Sequence, residues 1–380
     1  MATNLKPTST KSKSKMIVFA IEIIVILAML AILYLVLNRK PEEQPLVTVL
    51  DEEEIKPDNK VQQEIENGTS KMLGYKNIAL FGVDALSREQ ITKNSRSDSI
   101  MIASINMDNG DIKLVSVYRD SYLNIGTDSY QKCNAAYAKG GAEQAVKMLN
   151  NNLDLYIKDF VAVGYNAVID LIDGLGGIYI DVDKEELKYI NDYQVSIVAA
   201  WKYGLNITES TPPEAFNVVK SSDYVKLTEP GYQLLNGLQA TAYCRIRYTA
   251  GSDYKRTERQ REVLKAIETQ AKKMNVADLT KIFNKVIGNV YTNISTEDLL
   301  ALLEKIADYQ IVDEDGFPQA DLRTAGPIGA KGDCVVPRDL VKNVVWLHEF
   351  LFEEQNYEVS DTVKEYSEKI KSDTDRYFGN

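Results

Sequence analysis

Residues 77–120 read NIALFGVDALSREQITKNSRSDSIMIASINMDNGDIKLVSVYRD. Within this stretch, 77–83 (NIALFGV) is strand-like. Residues 99–107 (SIMIASINM) run almost unbroken apolar, the pattern of a strand covered on both faces. The tetrad MDNG at 107–110 signals a hairpin, and 111–118 (DIKLVSVY) returns as the partner strand. Short polar clusters between the strands hold Asp84, Arg96, Asp98, Arg119 and Asp120. Carboxylates alternating with arginines where strands end suit a metal ion and a phosphorylated ligand, or a network of salt bridges.

Downstream, the pattern alternates. A helix is expected over about 135–152, a short strand near 160–163 and a helix at roughly 165–173. Gly174, Gly176 and Gly177 end that helix, and GIYIDV opens another strand. No GK[ST] follows the glycines, so they read as turn punctuation rather than a phosphate loop. Residues 184–230 are polar, rich in tyrosine and broken by Pro212 and Pro213, and read as a surface excursion. YCRIRY (243–248) reads as a strand before a helix from about Asp253 to Lys273. Further helical patterns cover 276–290, 296–307 and 339–354. Strands alternating with helices imply an α/β domain, a mixed β-sheet sandwiched between α-helices.

Charge and hydropathy place this domain. The chain has 380 residues and a formal net charge of −11, which excludes a nucleic-acid partner, since polyanions are bound by basic surfaces. Residues 16–37, MIVFAIEIIVILAMLAILYLVL, are apolar except for Glu22, and a helix of about 20 residues spans a bilayer core. Lys6, Lys11, Lys13 and Lys15 precede it without any acid, so the basic tail 1–15 is expected in the cytoplasm and everything after 38 outside. Residues 38–72 read as a stalk, 73–356 as the globular domain (core motifs 77–272) and 357–380 as a charged tail, frayed or helical on the surface. Cys133, Cys244 and Cys334 are too few for a disulfide scaffold, though one pair could bridge. The single histidine, His348, sits in apolar NVVWLHEFLF and reads as structural, which excludes Ser-His-Asp and Cys-His catalysis.

The second basic stretch is CRIRYTAGSDYKRTERQR, residues 244–261. On a strand, Arg245 and Arg247 would share one face, with Cys244 and Ile246 on the other. In the helix that follows, Asp253, Arg256 and Gln260 share a face, and the helix N-terminus favours an anion. Arg259 and Arg261 lie off that face and are expected in solvent. Arginine forks bind phosphate oxygens in pairs, so Arg96, Arg119, Arg245, Arg247 and Arg256 would suit a di- or multi-phosphate. Asp84 and Asp98 would either hold magnesium at its edge or balance the arginines.

Seven stretches, in order, resemble the LytR–CpsA–Psr family of envelope proteins. They are NIALFGVD (77–84), RSDSIMIASIN (96–106), KLVSVYRD (113–120), NAAYAKGGAEQAV (134–146), IDGLGGIYIDV (172–182), GYQLLNGLQATAYCRIRY (231–248) and SDYKRTERQREVL (252–264). The resemblance implies a deep apolar tunnel for a polyprenyl chain, with arginines and Mg²⁺ at its mouth holding the lipid's phosphates. By motif position, Asp84 and Asp98 would be the metal-linked carboxylates, with Arg96 and Arg119 beside them at the reacting centre. Arg119, Arg245, Arg247, Arg256 and Gln260 would bind pyrophosphate, and Asp253 would support them. Tyr118 departs from the pattern, standing where the family usually has proline.

The expected activity is a phosphotransferase. It would move a glycopolymer (a teichoic acid or a capsular or secondary wall polysaccharide) from a polyprenyl-pyrophosphate carrier to a sugar hydroxyl of peptidoglycan. Asp84 or Asp98 could accept the hydroxyl proton. The alternatives are a non-catalytic polyprenyl-phosphate-binding scaffold or sensor, and a lipid-pyrophosphate hydrolase. The envelope would be of the Gram-positive type.

Overall fold

The computed structural model describes residues 46–85, 88–92, 95–205, 217–247 and 252–379. The apolar run 16–37 therefore lies outside the described residues, and among those described no helix is long and apolar enough to cross a membrane.

Seven strands form the central sheet: β1 (Leu46–Val47), β2 (Tyr75–Val83), β3 (Ser97–Asn106), β4 (Asp111–Val117), β7 (Asp159–Val163), β10 (Val290–Thr292) and β11 (Gln310–Phe317). Their spatial order is β1-β10-β7-β2-β3-β4-β11. The β2–β3 and β3–β4 pairs are antiparallel, whereas β7 lies parallel to β2 and β11 parallel to β4. Hairpins β5/β6 (Tyr122–Asn124, Tyr130–Lys132), β8/β9 (Ile178–Val182, Gly231–Leu235) and β12/β13 (Arg323–Pro327, Asp333–Pro337) lie outside it. The expected mixed sheet between helices is what forms. Strand β3 is buried from Ile100 to Ile105, as its unbroken apolar run requires of a central strand.

Alternation along β2 divides the core. Ala79 and Phe81 join Ile100, Ile102 and Phe160 in the main cluster, under the helices Ala135–Leu153 and Leu340–Phe352. Leu80 and Val161 face the other way, where the helices Tyr165–Gly174, Ser252–Ala271 and Val276–Val286 cover the sheet.

Several expectations are corrected. The stalk 38–72 is part of the domain from residue 46 on: β1 pairs with β10, and Leu50, Ile55, Val61 and Met72 are buried in the main cluster. The charge of this stretch hid a few well-spaced apolar residues that reach the core. The excursion 184–230 begins with a 20-residue helix, Lys184–Tyr203, started by a capping box between Asp183 and Glu186 and burying Ile190, Ile197 and Val198. Residues 206–216, including Pro212 and Pro213, lie outside the described residues. Residues 243–247 of YCRIRY are not a strand, and Tyr248 lies outside the described residues. The Asn236–Gln239 capping box starts a helix, Gly237–Tyr243, which ends at Cys244. That local hydrogen-bonding signal outweighs the β-propensity of the tyrosines and isoleucine.

Of its two expected forms the tail takes the helical one, and it is packed on the domain rather than frayed. The helix Asp361–Phe378 buries Val363, Ile370 and Thr374 on one stripe, and Tyr122 Oη donates to Asp373 Oδ2 at 3.1 Å. All three cysteines are free thiols. His348 is structural, as its surroundings in sequence suggest. It is fully buried, its Nε2 lies 3.1 Å from the Leu153 carbonyl oxygen, and its ring stacks on Tyr357.

Candidate active site

Strand direction gathers the first half of the site. Because β3 runs antiparallel to both β2 and β4, the end of β2, the start of β3 and the end of β4 share one edge of the sheet. Asp84, Asp98 and Arg119 sit at those three termini. The register shifts between Gly82 and Val83, a bulge that re-aims the chain before Asp84. Gly82 is needed there, since a Cβ would stand 2.9 Å from Ser99 Cβ.

The second half comes from the turn after Cys244 and from the Ser252–Ala271 helix. Arg245 and Arg247 are partly exposed while Ile246 is fully buried. The expected sharing of a side thus holds without a strand, except that Cys244 also lines the cavity beneath them. Asp253 is the meeting point. Its Oδ1 lies 2.9 Å from Arg256 Nη2, 3.7 Å from Arg247 Nε and 3.9 Å from Arg119 Nε. Arg119 Nη1 also donates to Asp98 Oδ1 at 2.6 Å, and Arg256 Nη2 donates to the Asp98 carbonyl at 3.2 Å. Arg245 lies over two rings, 4.9 Å from the centroid of Tyr165 and 5.4 Å from that of Tyr193.

The arginines are not equally compensated. Burial works against the charge on Arg119, but Asp98, Asp120 and Asp253 outweigh it and hold its proton more firmly than usual. On Arg256 burial wins: Asp253 helps, but Arg119 and Arg247 crowd it, and its pKa is lowered. Arg119 Nε and Arg256 Nε are buried with no hydrogen-bond partner, as is Gln260 Oε1. Unpartnered donors beneath crowded guanidinium groups are a setting that an anion would relieve.

Below this cluster lies a cavity of about 720 Å³, within the range of small-ligand sites. Leu80, Met101, Val163, Leu171, Val263 and Ile267 line its depth, and Asp98, Arg245, Arg247, Arg256 and Gln260 line its mouth. The long helix misread as an excursion supplies Tyr189, Tyr193 and Ser196 to the wall.

Asp84 and Asp98 both act on Tyr165. Burial first, then these two carboxylates, push its phenol up against the opposing pull of Arg245, and Asp84 accepts a hydrogen bond from it. Among the described residues no three His, Cys, Asp or Glu side chains gather as a complete metal cage. Two hard carboxylates beside an anion pocket still fit magnesium, which takes one or two carboxylates and completes its shell with phosphate oxygens and water. Arg96 is exposed and contributes its backbone carbonyl, which accepts from Asp84 N at 3.4 Å; its side chain is not brought into the cluster.

Two expectations fail. Arg259 and Arg261 are buried, not solvated. Arg259 Nε pairs with Glu186 Oε1 at 2.6 Å, and its Nη1 donates to the Ile246 carbonyl at 3.2 Å, between Arg245 and Arg247. Arg261 Nη1 donates to Ser116 Oγ at 2.8 Å. The helix packs on β8 on one side and on β11 on another, so more than one of its faces is covered.

These features define a class: an α/β domain with an apolar cavity whose mouth is lined by arginines. The profile of the LytR_cpsA_psr family matches residues 47–326, and the chain belongs to that family. It is 29% identical over 228 residues to Biofilm regulatory protein A of Streptococcus mutans, covering 58% of this chain and 49% of the relative. It is 30% identical over 217 residues to the polyisoprenyl-teichoic acid–peptidoglycan teichoic acid transferase TagV of Bacillus subtilis, covering 55% of this chain and 48% of the relative. The match thus spans about half the length of either relative. The crystal structure of B. subtilis TagV superposes with a TM-score of 0.53 at 25% identity, over 73% of this chain and 97% of that one.

Proposed function

We propose that the protein transfers a phosphoglycan from a polyprenyl-pyrophosphate carrier to a sugar hydroxyl of peptidoglycan. The observation that carries this reading is the apolar cavity opening under buried, unpartnered arginine donors. A prenyl tail fits the cavity, and a pyrophosphate head fits the roof. The name of the TagV relative agrees with this chemistry. The run 16–37 would anchor the domain at the membrane that carries such lipids.

In the reaction, the acceptor oxygen forms a bond to the glycan-bearing phosphorus. The bond from that phosphorus to the lipid phosphate oxygen breaks, and polyprenyl phosphate leaves. Arg119, Arg247 and Arg256 hold the charge that builds on the transferring group and on the leaving phosphate. Arg245, packed on Tyr165 and Tyr193, fixes the outer edge of the pocket. The acceptor proton passes to a carboxylate, and Asp84 is the better placed. It is exposed and accepts from the neutral phenol of Tyr165, whereas Asp98 Oδ1 is ion-paired with the Arg119 guanidinium. Mg²⁺ bound by Asp84 and Asp98 would neutralise pyrophosphate charge.

The test gives the full-length protein a lipid-linked donor and peptidoglycan oligomers. New phosphodiester linkages are expected, and Arg119→Ala and Arg247→Ala should each abolish them while leaving the unfolding midpoint near that of the parent. Near-normal transfer by both variants refutes the assignment. Free glycan phosphate would indicate a hydrolase, and binding without product a carrier-binding scaffold.

A further inference from the structure

Beside the arginine cluster, on the side away from the cavity, Tyr118, Tyr254 and Arg323 make a compact stack. Arg323 begins β12. Its Nη1 donates to Tyr118 Oη at 2.9 Å and to the Pro318 carbonyl at 3.0 Å. Its guanidinium carbon lies 4.0 Å from the Tyr254 ring centroid and 4.8 Å from that of Tyr118. The two rings meet edge to face at 4.7 Å. Room for the Tyr118 hydroxyl depends on Gly316, where a Cβ would stand 2.0 Å from it.

The chain neighbours of these rings give the stack its meaning. Tyr118 immediately precedes Arg119, and Tyr254 immediately follows Asp253. Arg119 and Asp253 lie on separate elements, the end of β4 and the first turn of the Ser252–Ala271 helix, and their ion pair is long at 3.9 Å. The same two elements are tied farther along, where Arg261 donates to Ser116 at 2.8 Å, but so loose a pair does little to set their spacing at the end that carries Arg119 and Asp253. An arginine stacked on one ring and hydrogen-bonded to the other fixes both at once.

We infer that Arg323, acting through Tyr118 and Tyr254, is a positioning residue that sets the distance between Arg119 and the Asp253–Arg256 pair, and with it the grip on a pyrophosphate head. This rests on the reading of the cluster as a pyrophosphate pocket. Arg323 does not line the cavity, so its loss acts on the head and not on the tail.

The experiment measures binding of geranylgeranyl pyrophosphate and of geranylgeraniol to the full-length protein in detergent micelles, alongside the thermal midpoint. Arg323→Ala should weaken pyrophosphate binding about tenfold or more, as small displacements of a binding constellation do, and leave alcohol binding unchanged. Arg323→Lys, which keeps charge over the rings but loses the fork, should recover part of the loss. Tyr118→Phe, which keeps the ring and removes only the hydroxyl, should show a smaller loss in the same sense, and serves if Arg323→Ala does not fold. In the transfer assay, kcat should fall more than KM rises. Unchanged pyrophosphate binding in Arg323→Ala, or equal losses for pyrophosphate and alcohol, overturns the inference. A parent protein that ignores the pyrophosphate overturns the pocket reading itself, and the inference with it.

Discussion

Arg259 does not line the cavity, yet it holds the loop that does. Its pair with Glu186 is nearly dry, the two side chains being 6% and 8% exposed, and its Nη1 donates to the carbonyl between Arg245 and Arg247. Removing one partner of a buried pair strands the other's charge, at a cost of about 3–5 kcal/mol. Arg259→Ala is therefore expected to shift urea unfolding by that amount, and Glu186→Gln in the same chain should recover part of it. Of the residues the sequence marked, Asp98, Arg119, Arg245, Arg247, Asp253, Arg256 and the neutral Gln260 converge, Asp84 meets them through Tyr165, and Arg96 stays outside. By helix face it set Arg256 apart from Arg259 and Arg261, but it sent the latter two to solvent, because the side chains in TERQR do not say which neighbour covers them. Tyr118 stood out only as a departure from the family pattern, and Tyr165, Tyr193 and Tyr254 were not singled out, because the roles of all four depend on the guanidinium beside each ring.

At the scale of elements, hydrogen-bonding signals at helix starts were more informative than propensity. The Asn236–Gln239 box decided the fate of YCRIRY, and the Asp183–Glu186 box turned a supposed excursion into a cavity wall. Both patterns are visible in the chain once they are sought. The strands of 77–120 were legible because a period of two and an unbroken apolar run have few other interpretations. The Ser252–Ala271 helix also carries a pH-sensitive contact. Glu262 accepts from Tyr243 Oη at 2.7 Å; burial raises its pKa above the ordinary 4.5, against the lowering effect of that hydrogen bond. A folded-state carboxyl pKa above the unfolded value contributes stability that is full below the unfolded pKa and is lost as pH rises through the folded one. Glu262→Gln should therefore gain thermal stability relative to the parent as pH climbs from the carboxylate range towards neutrality. A midpoint difference that stays flat across that window would contradict it.

For the whole molecule, the ends matter as much as the centre. The segment from residue 46 and the helix Asp361–Phe378 both pack into the main cluster, and Thr362 Oγ1 donates to Asp58 Oδ2 at 2.7 Å, tying them together. Ending the chain after Ser360 would expose the faces covered by Val363 and Ile370, each worth about 1.5–3 kcal/mol. Urea titration of that truncation should show a loss of about 3–6 kcal/mol, and an unchanged midpoint would mean the helix is an accessory. The cavity carries a different consequence. Its walls are drawn from residues as far apart as Leu80 and Val290, so its lining is incomplete until residue 290 has been added. Every arginine of the cluster precedes residue 260, and the apolar depth is sealed only by Val286 and Val290. A chain interrupted between those points would hold the arginines without the closed cavity. On the proposed function, selectivity for a lipid over any other phosphate in the surroundings thus depends on the chain beyond residue 260.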